Sequence, residues 1–276
     1  MSSLPTIILV HGAWHTPENY AGFTAALRAR GFPVQCPLLP SCDKSRTSRG
    51  TFTDDVHTVR DLAVELADAG ERILIVMHSY GGAIGTDAVQ GLAFPYSGKS
   101  LANRNEGERV GGVVHLLYLC AYILVSGTSV WDIVREAGFD TVFDQYVEEA
   151  TEDGSLFPID PAMMFFGGDE SVPQGIIDDG MKLLVRFPKS CLTMPTTWDA
   201  WRFIPSTYVL TQKDYGVPRI YQDIMVAKVR GEGIELRTKD FDTCHSIFIS
   251  REREMVELAV EAANDSRNAD FSLLEE

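Results

Sequence analysis

The chain has 276 residues, 45% of them hydrophobic, enough for a sizeable core in one large α/β domain or two small ones. Its 39 acidic and 24 basic residues leave a formal charge of −15, which argues against nucleic acid or an anionic membrane as a partner and disfavours polyanionic substrates. No apolar run reaches the roughly 18 residues that a membrane-crossing helix needs, so no span is expected.

Thr6-Ile7-Ile8-Leu9-Val10 reads as a buried strand, and His11-Gly12-Ala13-Trp14-His15 as the loop at its end. Met1 to Pro5 lacks a basic region and an apolar core, so no secretion signal is expected. Residues 17–30 set Tyr20, Phe23, Ala26 and Leu27 at helical spacing and stop at Gly31. A short strand near Val34 and a polar loop over 41–50 follow. Residues 54–69 carry Val56, Val59, Leu62, Ala63 and Leu66 on one helical face, ending at Gly70. The apolar run Ile73-Leu74-Ile75-Val76 leads straight into Met77-His78-Ser79-Tyr80-Gly81-Gly82 and a helix over about 81–92. Residues 97–111 read as an exposed polar loop, and Val113 to Leu119 as another buried strand. Strands alternating with helices predict a mostly parallel sheet flanked by helices.

The alternation breaks between 126 and 203, where helix-like pieces rich in apolar and aromatic residues exceed what a solvated loop requires. Residues 126–204 are therefore read as a mainly helical cap, and 1–125 with 205–276 as the α/β core. Trp131, Phe166 and Trp198 of the cap are candidates for lining a largely apolar pocket. The sheet resumes with Thr207 to Thr211, and Gln212 to Pro218 forms the loop at its end. Ile234 to Thr238 reads as the last strand, followed by Asp242-Thr243-Cys244-His245-Ser246 and a C-terminal helix. The acidic tail after Asn264 is expected to be solvated and frayed. Asn264-Asp265-Ser266 has the glycosylation form and, without a secretion signal, is read as chance.

Five scattered cysteines (36, 42, 120, 191 and 244), with no CxxC and no zinc spacing, predict free thiols and a cytoplasmic setting. Cys244, beside the candidate base His245, reads as a small buried filler, with redox sensitivity as the alternative. Neither GxxxxGK nor GxGxxG occurs, so no nucleotide site is expected, and the chemistry proposed below needs no cofactor or metal.

A strand that stops at a serine, followed by small residues opening a helix, describes a nucleophile elbow. Its tight turn lifts the hydroxyl clear of the sheet, at a helix N-terminus. Met77 stands where G-x-S-x-G has its first glycine. A serine needs a base and a group to orient that base. Of the six histidines, His57 lies in a helical pattern, His115 in a strand, and His78 beside the serine on the opposite strand face. His245, in a late strand-to-helix loop, is the candidate base. Asp214 at the carboxyl end of a strand is the leading acid, ahead of Asp240 and Asp242. Backbone N–H groups of Tyr80 and Ala13 are the candidate oxyanion donors, with Gly12 permitting close approach. Trp14 and His15 are candidate substrate contacts.

These segments resemble the α/β-hydrolase superfamily, in its compact branch of methyl esterases, hydroxynitrile lyases and small esterases. Val10 to His15, His78 to Gly82, Trp201 to Val209, Lys213-Asp214 before Val217-Pro218, and His245 to Ser250 carry the likeness, which spans roughly residues 5 to 264. The resemblance implies Ser79, Asp214 and His245 as a triad with Ala13 and Tyr80 as oxyanion donors. The lyases of the branch carry threonine at the position of Gly12 and lysine at that of Ser246, so hydrolysis is expected over lyase chemistry. The expected function is cleavage of a carboxylic ester or lactone of a small, largely apolar substrate through an acyl-enzyme. Hydroxynitrile-lyase-like cleavage, a non-hydrolytic acyl transfer or cyclisation, and a non-catalytic receptor are the alternatives, and a homodimer is left open.

Overall fold

The computed structural model describes residues 4–44, 50–94 and 111–265. The core begins β1 (Thr6–Val10), α1 (Ala21–Ala29), β2 (Val34–Gln35), α2 (Phe52–Asp68), β3 (Arg72–His78), α3 (Gly81–Ala88) and β4 (Gly112–Leu119). An intervening segment holds α4 (Val130–Glu136), β5 (Val147–Glu149), β6 (Ser155–Pro158), α5 (Pro161–Phe166), α6 (Gln174–Lys182), β7 (Phe187–Pro188) and α7 (Ser190–Thr193). The core closes with β8 (Ser206–Lys213), α8 (Arg219–Gly231), β9 (Arg237–Cys244), α9 (Ile247–Ser250) and α10 (Glu252–Asp265).

Six strands make one sheet in the order β2-β1-β3-β4-β8-β9, and each neighbouring pair is parallel. Side chains alternate across its faces, so each central strand feeds two cores. Ile7, Leu9, Leu74, Val76, Leu117 and Leu119 pack with Phe23 and Leu27 of α1 and Met255 and Leu258 of α10. The intervening Ile8, Val10, Ile75, Met77, Leu116 and Tyr118 join Val59 and Ala63 of α2 and Ala83 and Ile84 of α3. Burying each such side chain stabilises by roughly 1.5–3 kcal/mol, and two-sided burial explains the unbroken apolar runs.

Three elements differ from the sequence expectation. The last strand starts at Arg237 rather than Ile234 and runs to Cys244. It is the edge of the sheet, and its largely polar residues mask the strand to a reading keyed on apolar periodicity. Gln212 and Lys213, expected in a loop, are the last residues of β8. The segment over 126–204 is mainly helical, as expected, but β5, β6 and β7 also form a small antiparallel sheet. These strands are two to four residues long, too short to show a period. The polar loop over 97–111 and the acidic tail beyond 265 lie outside the described residues, apart from Gly111, as does part of the 41–50 loop. No helix among the described residues is long and apolar enough to cross a membrane.

Candidate active site

β3 ends at His78, and Ser79 takes φ of 56°, the left-handed region that a side chain enters only under strain. The turn works because its neighbours lack Cβ atoms. A Cβ on Gly81 would sit 2.3 Å from the Val10 carbonyl oxygen, and one on Gly82 would sit 2.5 Å from that of Tyr122. The Ser79 carbonyl accepts from Gly82 N at 3.0 Å and from Tyr122 N at 2.9 Å, which fixes the elbow to the end of β4.

Met77 occupies the missing glycine position without disrupting the elbow because α3 makes room for it. A Cβ on Gly85 would lie 2.6 Å from Met77 Sδ and 2.8 Å from its Cγ. Gly85→Ala should therefore destabilise by about 1–3 kcal/mol through overpacking, and adding Met77→Ala should recover part of that loss. Urea unfolding of the double-mutant cycle checks this; additive effects would refute the packing account.

Asp214 follows β8 and lies buried. Its Oδ2 accepts from His245 Nδ1 at 2.9 Å and from Thr211 Oγ1 at 2.7 Å. Its Oδ1 accepts from the backbone N–H groups of Gly216 at 2.9 Å and Val217 at 2.7 Å. The carboxylate is thus clamped and aimed at the ring. The two rival acids are elsewhere: Asp240 pairs with Arg219, and Asp242 with Lys213, both at the surface. His245 is buried, and Gly216 packs against its ring so closely that a Cβ there would lie 3.0 Å from Nε2. The ring of His78, next to Ser79 in the chain, has its centroid 4.5 Å from that of His245. Among the described residues the Ser79 hydroxyl makes no hydrogen bond to the His245 ring, a contact that commonly tightens only with substrate bound.

A buried polar chain ties the first loop to the segment of His245. Gly12 N donates to Tyr20 Oη at 3.0 Å, Tyr20 Oη lies 2.7 Å from His78 Nδ1, and His78 Nε2 lies 3.0 Å from the His245 carbonyl oxygen. A carbonyl only accepts, so Nε2 carries the proton, Nδ1 accepts, and the tyrosine hydroxyl donates. His11 is fixed in the same way: its Nε2 accepts from Leu39 N at 3.0 Å, so its Nδ1–H donates to Gly12 O at 2.9 Å. Burial lowers the His78 pKa well below its ordinary value and lowers those of His11 to about 4 and His15 to about 3. The amides of Ala13 and Tyr80 donate to no acceptor among the described residues.

Ala13, Trp14, Ser79, Tyr80, Asp214 and Gly216 all border one cavity of about 480 Å³. The other site residues expected from sequence stand apart from its wall. Gly12 lies beneath it, where an added Cβ would meet Ser79 Cβ at 2.9 Å. His15 is buried behind the loop, its Nδ1–H donating to Ala13 O at 2.8 Å and its ring edge-on to Phe165. Trp131 packs on Phe143 outside the cavity, and Phe166 is part of the core. Trp198 stacks on Phe203, while its backbone N–H donates to Asp87 Oδ1. Apolar side chains of the inserted segment, among them Val130, Val134, Phe139, Met163 and Met164, supply the wall instead. Tyr20, Asp55 and Thr211 are supporting residues that sequence reasoning missed. Asp55 accepts from the Tyr80 hydroxyl at 2.9 Å and from Ser41 N at 2.9 Å. No local motif marks any of the three, since their partners lie far off in the chain or inside an ordinary strand. Cys244 is buried as expected, and all five cysteines are free.

The profile of the family described as "Alpha/beta hydrolase family" matches residues 7–258. Alpha/beta hydrolase nvfD of Aspergillus novofumigatus is 30% identical over 227 residues, covering 82% of this chain and 85% of that protein. An extracellular alpha/beta-hydrolase from a Paenibacillus species superposes with a TM-score of 0.70 at 18% identity, covering 94% of this chain and 98% of its own. The crystal structure of polyneuridine aldehyde esterase superposes with a TM-score of 0.68 at 13% identity, covering 94% and 99% of the two chains.

Proposed function

The chain belongs to the alpha/beta hydrolase family, and from that premise we propose that it is a serine hydrolase cleaving a carboxylic ester or lactone of a small, largely apolar substrate. Ser79 attacks the carbonyl while His245 takes its proton and later delivers it to the leaving alcohol. Asp214 orients the imidazole, and the N–H groups of Ala13 and Tyr80 receive the oxyanion. Water activated by His245 then releases the acyl group. The observation that carries this reading is the buried Asp214–His245 hydrogen bond at 2.9 Å beside a serine held at φ of 56°.

The cavity supports an uncharged substrate. No lysine or arginine among the described residues borders it, so a carboxylate in it would meet Asp214 without a neighbouring lysine or arginine to offset the repulsion. The lyase alternative is disfavoured because Gly12 offers no side-chain hydroxyl and Ser246 no ammonium to hold a cyanohydrin and its departing cyanide.

Asp214→Asn should lower kcat by roughly 10⁴-fold while the protein keeps its native circular dichroism spectrum. Kinetics on a 4-nitrophenyl ester, with the equivalent changes at Asp240 and Asp242 alongside, make the test. Greater damage at either of those two would reassign the acid.

A further inference from the structure

Five tyrosines border the cavity, and of the four whose backbone or side chain the mechanism above does not use, only Tyr122 and Tyr221 are nearly buried. Tyr122 follows β4 directly, and its backbone N–H donates to the Ser79 carbonyl at 2.9 Å, so its position relative to the nucleophile is fixed. Tyr221 rises from the first turn of α8, held edge-on by Phe139 with ring centroids 5.5 Å apart. Both are nearly buried, at 6% and 5% exposure, and both border the cavity. Neither hydroxyl has a hydrogen-bond partner among the described residues. A hydroxyl on the wall of a largely apolar cavity, with no protein partner to occupy it, is free to donate to a ligand atom.

We infer that Tyr122 and Tyr221 form a second, uncharged binding point that donates hydrogen bonds to a ketone carbonyl of the substrate remote from the scissile ester. This rests on the ester-hydrolase reading and narrows it to apolar oxo-esters. The donor role follows from the chemistry of the site. Burial raises both phenols above their ordinary pKa, Tyr122 further through the neighbouring Tyr221 and Asp214 charges, so both keep their protons. A neutral phenol matches an acceptor that carries no charge. An anionic group would find no lysine or arginine among the described lining residues. The Asp160 carboxylate also borders the cavity, but it is occupied as the cap of α5, accepting from Met163 N at 2.9 Å.

The test separates binding from turnover. Dissociation constants of methyl octanoate and its 4-, 5-, 6- and 7-oxo derivatives are measured by tryptophan fluorescence on Ser79→Ala, and again with Tyr122→Phe, Tyr221→Phe or both added. At least one oxo isomer should bind fivefold or more tightly than methyl octanoate, although the ketone makes it less hydrophobic. That ratio should drop with each single replacement and fall below twofold with both. An absence of preference in the Ser79→Ala protein, or a preference that survives the double replacement, overturns the inference. Failure of the ester-hydrolase reading has a different signature: the unmodified protein would hydrolyse none of these esters while the tyrosine-dependent binding preference persisted.

Discussion

Ser79→Ala should lower the turnover of an activated aryl ester by about 10⁴–10⁶-fold and abolish covalent labelling by a fluorophosphonate. In enzymes that use this chemistry, loss of the nucleophile costs about 10⁶ in kcat, and what survives comes from binding and oxyanion donors. Alanine adopts the same backbone at 79 and removes one hydroxyl, so the fold should be retained, as circular dichroism will show. Intact-protein mass spectrometry after exposure to the probe reads the outcome. A persisting adduct, or a loss below tenfold, would mean that another residue attacks.

Acid should unfold this protein steeply, between about pH 4 and 5.5. Burial holds His11 and His115 at a pKa of about 4 and His15 at about 3, and it lowers His78 well below its ordinary value. The unfolded chain protonates each near 6.5, whereas the native protein does not. Their contribution is therefore fully present above pH 6.5 and is lost as pH falls toward the native values. Asp55 works in the opposite sense. Burial raises its pKa from 3.8 to about 6, so the native carboxyl keeps a proton that the unfolded chain releases, and that contribution is lost as pH rises through 6. Four histidines outweigh one carboxyl. Near pH 5 unfolding takes up about three protons, a slope of about 4 kcal/mol per pH unit against a total stability of some 5–15 kcal/mol. Tryptophan fluorescence and circular dichroism across pH 7 to 3 measure it, and a native signal at pH 4 would refute it. His115→Gln should shallow the slope by about one proton.

What the sequence disclosed follows from how local each signal is. The central strands are buried on both faces, so Ile73 to Val76 and Val113 to Leu119 announce themselves as unbroken apolar runs. The serine turn is legible because its geometry demands small residues at 81 and 82. β9 was harder to see because an edge strand has solvent on one side and carries Arg237, Lys239 and Asp240. Substrate-facing residues were the least legible part. Trp131, Phe166 and Trp198 are large and apolar, yet whether such a ring meets a cavity, a core or a neighbouring ring depends on packing between segments far apart in the chain. The role of His78 was obscured for a physical reason. In a strand its side chain points away from that of Ser79, and that opposite face is where Tyr20 and the His245 carbonyl wait.

Trp14 joins the two halves of the molecule. It sits in the first loop at φ of 63°, its indole N–H donates to the Leu156 carbonyl at 3.0 Å, and its own carbonyl accepts from Val185 N at 2.8 Å. Phe165 and Phe187 flank its ring at 6.1 and 5.8 Å. Swinging the whole roof outward to admit a guest would drag this tryptophan along and pull the neighbouring Ala13 amide out of alignment. On the proposed mechanism, admission by that route and readiness to react would exclude one another until the roof settled back.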